Sequence, residues 1–185
     1  GGLVFATIGG LWMLKRDKFP LGKASDLASI GIALGLGFGR MGCLLAGCCF
    51  GVRHEGAMGL SFPPFSPASD AQAKLGELAS RGLPSHPVHP TQIYEAAISL
   101  GIAALAMLYV QPRKRYDGQV FLWFLAAYAL GRFGLEFLRA DDRGAFIGLS
   151  TSQIIGLLIV AGAYALHKRF SKTVVEPAGV ETTSS

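Results

Sequence analysis

The chain has 185 residues, of which 51% are hydrophobic and only 16% are charged, and its mean hydropathy is +0.42. This composition excludes an ordinary soluble domain and indicates an integral membrane protein. The net charge of +5 comes from short basic clusters between apolar segments, which the positive-inside bias explains, so nucleic-acid binding is excluded too.

Five apolar segments follow one another along the chain and predict an all-α, polytopic bundle of membrane-spanning helices. The first, residues 1–14, is too short to cross a hydrocarbon core of about 30 Å. Because the chain opens inside this segment without an initiator methionine, we expect it to be the end of a longer helix. The later segments are, in order, residues 27–45, 91–110, 118–138 and 150–166.

Two parts of the chain are predicted to lie outside the membrane. Residues 51–90 are polar and rich in proline, and they predict an extramembrane loop in which only residues 71–80 form a short helix. Residues 171–185 are polar and lack periodicity, and they predict a disordered tail. The membrane-embedded domain is therefore predicted to extend from residue 1 to residue 170.

Three basic clusters, at residues 15–23, 113–115 and 168–169, alternate with connections that carry no clear excess of positive charge. The positive-inside rule places such clusters on the cytoplasmic side. This predicts an outward-facing loop at residues 51–90 and a cytoplasmic C-terminus. Arg40, His89 and Arg139 would then lie near the outer ends of their helices, towards the outer leaflet.

Polar residues inside the fourth apolar segment fall on one face of the predicted helix. Tyr128, Arg132, Glu136 and Arg139 are spaced by four, four and three residues. Together with Arg40 on another segment, Arg132 forms a pair of intramembrane cations suited to the oxygens of a phospholipid head group. The alternative is that Arg132 and Glu136 form an ion pair that only holds helices together.

His89 stands directly before Pro90, a residue that suits the first turn of a helix. Glu95 is expected in that first turn, where its charge complements the helix dipole. We interpret His89 as a general base or a head-group ligand, and the alternative is a capping or interface histidine.

Three cysteines, Cys43, Cys48 and Cys49, lie within seven residues, and several interpretations are open. They could be small buried residues, or Cys43 and Cys48 could form a disulfide. They could also bind a metal together with a histidine, although their spacing matches no common zinc pattern and we expect no metal. The histidines that could join them are His54, His86 and His89.

Three motifs resemble those of the prolipoprotein diacylglyceryl transferases, bacterial enzymes that place a diacylglyceryl group on the lipobox cysteine of lipoprotein precursors. Residues 39–42, Gly-Arg-Met-Gly, together with Gly51, are similar to the ends of the family signature. Residues 89–95, His-Pro-Thr-Gln-Ile-Tyr-Glu, resemble its histidine-proline motif, and residues 128–139 resemble its late arginine helix.

The resemblance implies phosphatidylglycerol as the donor, the lipobox thiol of a prolipoprotein signal peptide as the acceptor, no cofactor, and a place in the bacterial cytoplasmic membrane. It favours Arg40, His89, Tyr128 and Arg132 as catalytic residues. Substrate-binding or orienting roles are expected for Gly39, Gly42, Gly51, Gln92, Tyr94, Glu95, Glu136 and Arg139.

The centre of the signature departs from the family pattern. Cys43, Ala46 and Cys48 stand where the usual members carry two asparagines and a glutamate. Two other interpretations are therefore open. One is a relative that transfers a lipid-derived group to a different acceptor, with Cys48 or Cys49 as a covalent intermediate. The other is a membrane protein that binds lipid without catalysis.

Overall fold

A computed structural model describes residues 1–139, 145–146 and 149–175. Helices account for most of these residues, and the prediction of an all-α membrane bundle is confirmed. A small antiparallel pair, β1 (Ala145–Phe146) and β2 (Leu149–Ser150), precedes the last helix. The helices are α1 (Gly2–Arg16), α2 (Leu21–Ala46), α3 (Pro67–Lys74), α4 (Thr91–Leu105), α5 (Gln111–Arg113), α6 (Gln119–Glu136) and α7 (Thr151–Val175).

A π-helical turn, Ala106–Val110, joins α4 to α5, so that Thr91–Arg113 is one continuous helix. Pro112 lies in the first turn of α5 and has no N–H to donate, and a wider turn before it accommodates the missing bond. Among the described residues, three helices are long and apolar enough to cross a membrane, namely Leu21–Ala46, Thr91–Arg113 and Thr151–Lys172. The sequence predicts five apolar segments, and three of the described helices meet the length and composition expected of a membrane span.

The core of the bundle forms where α2 packs on α4 and α6 packs on α7. Ala33, Ala103 and Phe124 are buried together at its centre. Glycine allows the helices to approach closely, because a Cβ on Gly37 would come within 2.7 Å of the Leu100 side chain. Large apolar side chains remain exposed on the outer surface of the bundle, as expected for a surface that faces lipid.

A buried aspartate organises one end of the bundle. The Asp26 side chain is only 1% exposed, and its carboxylate accepts hydrogen bonds from the backbone N–H groups of Gly118, Val120 and Phe121 at the start of α6. It also accepts a hydrogen bond from Lys114 Nζ at 2.9 Å, which raises the pKa of that amine. Asp26 therefore accepts hydrogen bonds from N–H groups at the start of α6 that have no partner within the helix, and its charge balances that of Lys114.

The same end of the bundle contains residues in or next to two basic clusters that lie far apart in sequence. The hydroxyl of Tyr116, which follows the cluster at residues 113–115, lies 2.6 Å from Nδ1 of His167 in the second half of α7. Lys114 reaches the second turn of α2 through Asp26. These contacts agree with the alternating topology that the charge pattern predicts.

Residues 51–90 fold into a small cap on the opposite end, and the predicted helix at residues 71–80 is wrong in its bounds. Helix α3 is Pro67–Lys74, because Ser66 accepts a hydrogen bond from the Ser69 N–H and Pro67 occupies the first turn. Phe62, Ala68 and Val88 form a buried cluster that packs against the end of α2.

The last helix is longer than predicted. Helix α7 continues to Val175, past the point at residue 171 where the disordered tail was expected to begin. The apolar segment ends before His167, but the helix does not end there, because the backbone hydrogen bonds of a helix can continue through polar residues. The rest of the predicted tail, residues 176–185, lies outside the described residues.

Candidate active site

The carboxylate of Glu95 joins two arginines from different helices. Arg40 Nη2, on α2, lies 2.7 Å from Glu95 Oε1, and Arg132 Nη1, on α6, lies 3.3 Å from Glu95 Oε2. The Glu95 side chain is 3% exposed, and the two arginine side chains are 20% and 18% exposed. The Tyr128 hydroxyl also approaches Glu95 Oε1, at 3.5 Å. The sequence-predicted catalytic residues Arg40, Tyr128 and Arg132 therefore meet at one buried carboxylate.

A second carboxylate extends this group to α7. Arg132 Nη2 lies 3.6 Å from Glu136 Oε2, so the predicted ion pair at i,i+4 is present. The Ser152 hydroxyl, near the start of α7, donates a hydrogen bond to Glu136 Oε1. The sequence analysis missed Ser152, because a serine at a helix start is usually a local cap. We call Arg40, Glu95, Arg132 and Glu136 the arginine cluster.

The expected role of Glu95 at the helix start is corrected. Helix α4 begins at Thr91, and its first turn contains no acidic residue. Glu95 lies one turn further on and faces the interior, where it balances two cations. An unpaired buried carboxylate is much more destabilising than the loss of a favourable interaction with a helix end, so pairing with the two arginines determines where Glu95 lies.

His89 is six residues before Glu95 in the chain, but its side chain contacts a different set of residues. Its ring stacks on that of His54, with centroids 4.0 Å apart, and its Nδ1 lies 3.3 Å from the Tyr94 hydroxyl. Partial burial lowers the pKa of His89, and the neighbouring His54 lowers it further. His89 is therefore neutral at neutral pH and has a ring nitrogen available to accept a proton.

Two side chains at the start of α4 hydrogen-bond the turn that contains Cys48 and Cys49. The Gln92 side chain donates a hydrogen bond from Nε2 to the Cys48 carbonyl at 2.7 Å, and Thr91 Oγ1 donates to the Cys49 carbonyl at 2.7 Å. Both side chains are almost completely buried. Gln92 was predicted to bind or orient the substrate, and in the structure its amide hydrogen-bonds the backbone of this turn; its role towards a substrate stays a prediction.

Gly51 lies where three segments of backbone meet. Its N–H donates to the His89 carbonyl at 2.9 Å, and the N–H of Val52 donates to the Leu138 carbonyl at 3.0 Å. Gly51 also pairs with Arg139 in a short antiparallel bridge, which places the predicted Arg139 at the same junction. A Cβ on Gly51 would overlap the Leu138 carbonyl oxygen and come within 2.9 Å of His89 Cβ.

The other two signature glycines have different surroundings. Gly39 and Gly42 lie on α2 either side of Arg40, and a Cβ on either would meet nothing within 4 Å. They leave open space beside Arg40 instead of packing against the protein. This openness fits the expectation that a ligand approaches the helix there, which stays a prediction.

The three cysteines are free thiols and half-buried. Their Sγ atoms all lie within 4.8 Å of one another, although no histidine joins them in a potential metal group within the described ranges. Burial, together with the neighbouring thiols, raises the pKa of Cys48 to about 11. Cys48 is therefore a protonated thiol at neutral pH rather than an activated nucleophile.

A cavity of about 250 Å³ lies between α6 and α7, away from the arginine cluster. Trp123, Ala163 and Tyr164 line it, and His167 marks its polar end. Its lining is mostly apolar and includes no member of the arginine cluster. The candidate active site is therefore defined by convergent charges and not by the shape of this cavity.

Comparison with known families agrees with this arrangement. A family model described as prolipoprotein diacylglyceryl transferase matches residues 1–168. The chain belongs to the prolipoprotein diacylglyceryl transferase family. The match begins in α1, ends within α7, and includes every residue of the arginine cluster, His89 and the three cysteines.

Curated relatives carry the same family name. The chain is 34% identical over 167 residues to phosphatidylglycerol–prolipoprotein diacylglyceryl transferase 2 of Clostridium perfringens, with 90% of this chain and 59% of the relative covered. It is 38% identical over 162 residues to the Dehalococcoides mccartyi enzyme, with 87% and 56% covered. It is 30% identical over 171 residues to that of Stenotrophomonas maltophilia, with 87% and 57% covered. The chain thus spans a little over half the length of these relatives.

Replacing Glu95 with Gln tests whether this carboxylate holds the arginine cluster together. The change keeps the shape but leaves Arg40 and Arg132 without their shared counter-charge, so we expect a loss of about 3–5 kcal/mol in stability. Thermal unfolding of the purified protein in detergent measures it. The matched control is Glu55→Gln, which removes an exposed pair with Arg53 and should cost at most about 1 kcal/mol. Equal losses for the two variants would contradict the assignment.

Replacing Gly51 with Ala tests the close approach of the three backbone segments. The added methyl overlaps the Leu138 carbonyl, so we expect a loss of about 1–3 kcal/mol, measured in the same unfolding assay. Gly42→Ala is the control, because a Cβ there meets open space and alanine favours the helix. A Gly51→Ala protein as stable as the Gly42→Ala protein would show that these segments do not pack as described.

Proposed function

We propose that the protein containing this chain transfers a diacylglyceryl group from phosphatidylglycerol to the lipobox cysteine thiol of a prolipoprotein. The observation that carries the proposal is the convergence of Arg40 and Arg132 on buried Glu95, which prepares two guanidinium groups for a phosphate. Family membership and the names of the relatives support the same donor and acceptor.

The arginine cluster supplies the phosphate-binding step. Each guanidinium has five N–H donors, and the contacts with Glu95 and Glu136 use only some of them. The remaining donors of Arg40 and Arg132 bind the phosphate oxygens of the head group and stabilise the charge that grows on the departing glycerol phosphate. Glu95 keeps both cations in place before the lipid arrives, so no reorganisation is needed at the moment of reaction.

The transfer itself is a displacement at the carbon that bears the phosphate ester. The lipobox sulfur forms a bond to that carbon of the diacylglyceryl group, the carbon–oxygen bond breaks, and glycerol phosphate leaves with the electron pair. His89 takes the thiol proton, because the thiolate is the reactive nucleophile. Its lowered pKa keeps the imidazole neutral and able to accept that proton.

The other predicted residues act on these groups in different ways. Tyr128 approaches Glu95 and orients the carboxylate between the arginines. Tyr94 holds Nδ1 of His89, which leaves Nε2 to face the acceptor. Gly39 and Gly42 give the head group room beside Arg40. Arg139 and Gly51 join the cap to the end of α6 and fix the distance between His89 and that helix.

The proposed placement puts this reaction at the outer leaflet of the bacterial cytoplasmic membrane. Lys114 and His167 belong to the end of the bundle with the basic clusters, and the positive-inside rule assigns that end to the cytoplasm. The arginine cluster then lies towards the outer leaflet, the cap at residues 51–90 is the extracytoplasmic loop of a membrane-embedded domain at residues 1–170, and the C-terminus is cytoplasmic. Secreted precursors present their lipobox on the same side.

Replacing Arg132 with Ala tests the phosphate-binding step. The full-length protein is reconstituted in vesicles that contain labelled phosphatidylglycerol, and transfer of label to a lipobox peptide is measured. We expect the rate to fall by about 10²- to 10³-fold, the loss typical of one electrostatic donor to a transition state. The control is Arg53→Ala, which changes an arginine in the cap, outside the arginine cluster, that pairs with Glu55.

Three results would count against this assignment. An unchanged rate in the Arg132→Ala protein removes Arg132 from the mechanism. Transfer that does not require the peptide cysteine, or label that accumulates on the protein itself, favours a different acceptor. No transfer by the folded unmodified protein indicates a lipid-binding role without catalysis.

A further inference from the structure

The three thiols of Cys43, Cys48 and Cys49 converge although their positions do not follow one helical face. Cys43 lies in the last turns of α2, whereas Cys48 and Cys49 follow the end of that helix. All three Sγ atoms nevertheless lie within 4.8 Å of one another. The mechanism proposed above uses none of these thiols.

The backbone is built so that the chain turns back onto the end of α2. Gly47 ends the helix in the left-handed region with φ of 65°, and the Cys48 N–H donates to the Cys43 carbonyl at 3.1 Å. Cys49 also has a positive φ, of 59°, which a residue with a side chain adopts only when its surroundings impose it. Backbone strain of this kind is common at functional sites.

Helix α4 imposes this conformation from the other side. The buried side chains of Thr91 and Gln92 hold the Cys49 and Cys48 carbonyls through two 2.7 Å hydrogen bonds. With both carbonyl groups fixed towards α4, the turn cannot relax without breaking buried hydrogen bonds, which are costly to leave unmade. The positions of the thiols are therefore set by the fold before any ligand binds.

This geometry suits a soft metal ion better than it suits apolar packing. Zinc lies about 2.3 Å from each thiolate in a tetrahedral site, which places the sulfurs about 3.8 Å apart. Sulfurs that already lie within 4.8 Å need only a small inward rotation to reach that arrangement. The cysteines are half-buried, so a metal ion has access from outside, whereas cysteines that serve only as packing are usually fully buried.

The charge close to the three thiols also suits a metal–thiolate site. Three thiolates around a divalent ion carry one excess negative charge, and Arg40 lies one turn before Cys43 on the same side of α2. We propose that Cys43, Cys48 and Cys49 form a three-thiolate site for a soft d¹⁰ cation, Zn²⁺ or Cu⁺. Binding of Zn²⁺ forms three metal–sulfur bonds and releases three protons from the three thiols.

The first test is a titration of the full-length protein in detergent, fully reduced and stripped of metal by a chelator. Cd²⁺ is the spectroscopic probe, because its thiolate complexes absorb in the ultraviolet, and Zn²⁺ and Cu⁺ are added in competition to distinguish the two cations. We expect one saturable site per chain. Each of the variants Cys43→Ser, Cys48→Ser and Cys49→Ser should weaken binding by more than the roughly 10- to 100-fold that loss of an outer-shell partner causes.

The matched control is His86→Ala, which should leave binding unchanged. His86 lies in the cap, where its Nε2 is 3.1 Å from the Glu77 carbonyl. It was one of the histidines considered as a partner for the cysteines, so weaker binding in this variant would overturn the all-sulfur assignment. Full affinity in any of the three serine variants would overturn the three-thiolate site.

A second measurement stays informative if a serine variant fails to fold. Alkylation of the unmodified protein is followed by mass spectrometry with and without one equivalent of Zn²⁺, and we expect the three cysteines to be protected together. Independent alkylation of the three residues in the presence of Zn²⁺ would overturn the proposal. A disulfide between Cys43 and Cys48, with no metal bound after its reduction, would do the same. Neither result would affect the transfer reaction, which the lipobox assay tests separately.

Discussion

The carboxylate of Glu95 is the contact on which the end of the bundle beside the cap at residues 51–90 depends. Arg40 and Arg132 come from different helices and repel each other in a medium that screens charge poorly, so they can be held together only around a shared anion. Through this one side chain α2, α4 and α6 are joined, and the bond between Glu136 and Ser152 adds α7. The charges that are proposed to bind the phosphate are therefore also the charges that join the helices.

At the opposite end of the bundle, a buried carboxylate again joins separate helices, but it does so mainly through backbone hydrogen bonds. Asp26 is buried in α2, and it satisfies the N-terminal donors of α6 together with the Lys114 amine. Asp26 and Arg40 are about 21 Å apart along the helix at 1.5 Å per residue, so α2 carries a buried charge towards one end and a half-buried charge towards the other. Charged contacts at both ends fix the register of the helices, whereas the middle is held by apolar packing of small and large side chains, which has no directional bonds. These contacts hold the arginine cluster in a fixed place relative to the helices.

Local patterns made part of this structure predictable. The spacing of Tyr128, Arg132 and Glu136 depends only on helical geometry, and the ion pair between Arg132 and Glu136 followed from it. The place of Glu95 between two arginines was not predictable, because it depends on the packing of three helices that are distant in sequence. Close approach of the cysteines was one of several open interpretations, and the sequence could not decide between them because the positive φ at Cys49 and its hydrogen bond to α4 depend on tertiary packing. Ser66 and Pro67 did carry a readable helix-start signal, and the bounds of α3 were wrong because that signal was overlooked.

The central claim is that Arg40 and Arg132 bind one phosphate as a unit. The most direct test is a double-mutant cycle with Arg40→Lys and Arg132→Lys, in which binding of phosphatidylglycerol to the full-length protein is measured by native mass spectrometry. Lysine keeps each charge but loses the planar fork of donors. If the two arginines hold the same phosphate, the two losses are non-additive, with a coupling of about 0.5–3 kcal/mol. Losses that add within about 0.5 kcal/mol, or unchanged binding in the double variant, would contradict the account.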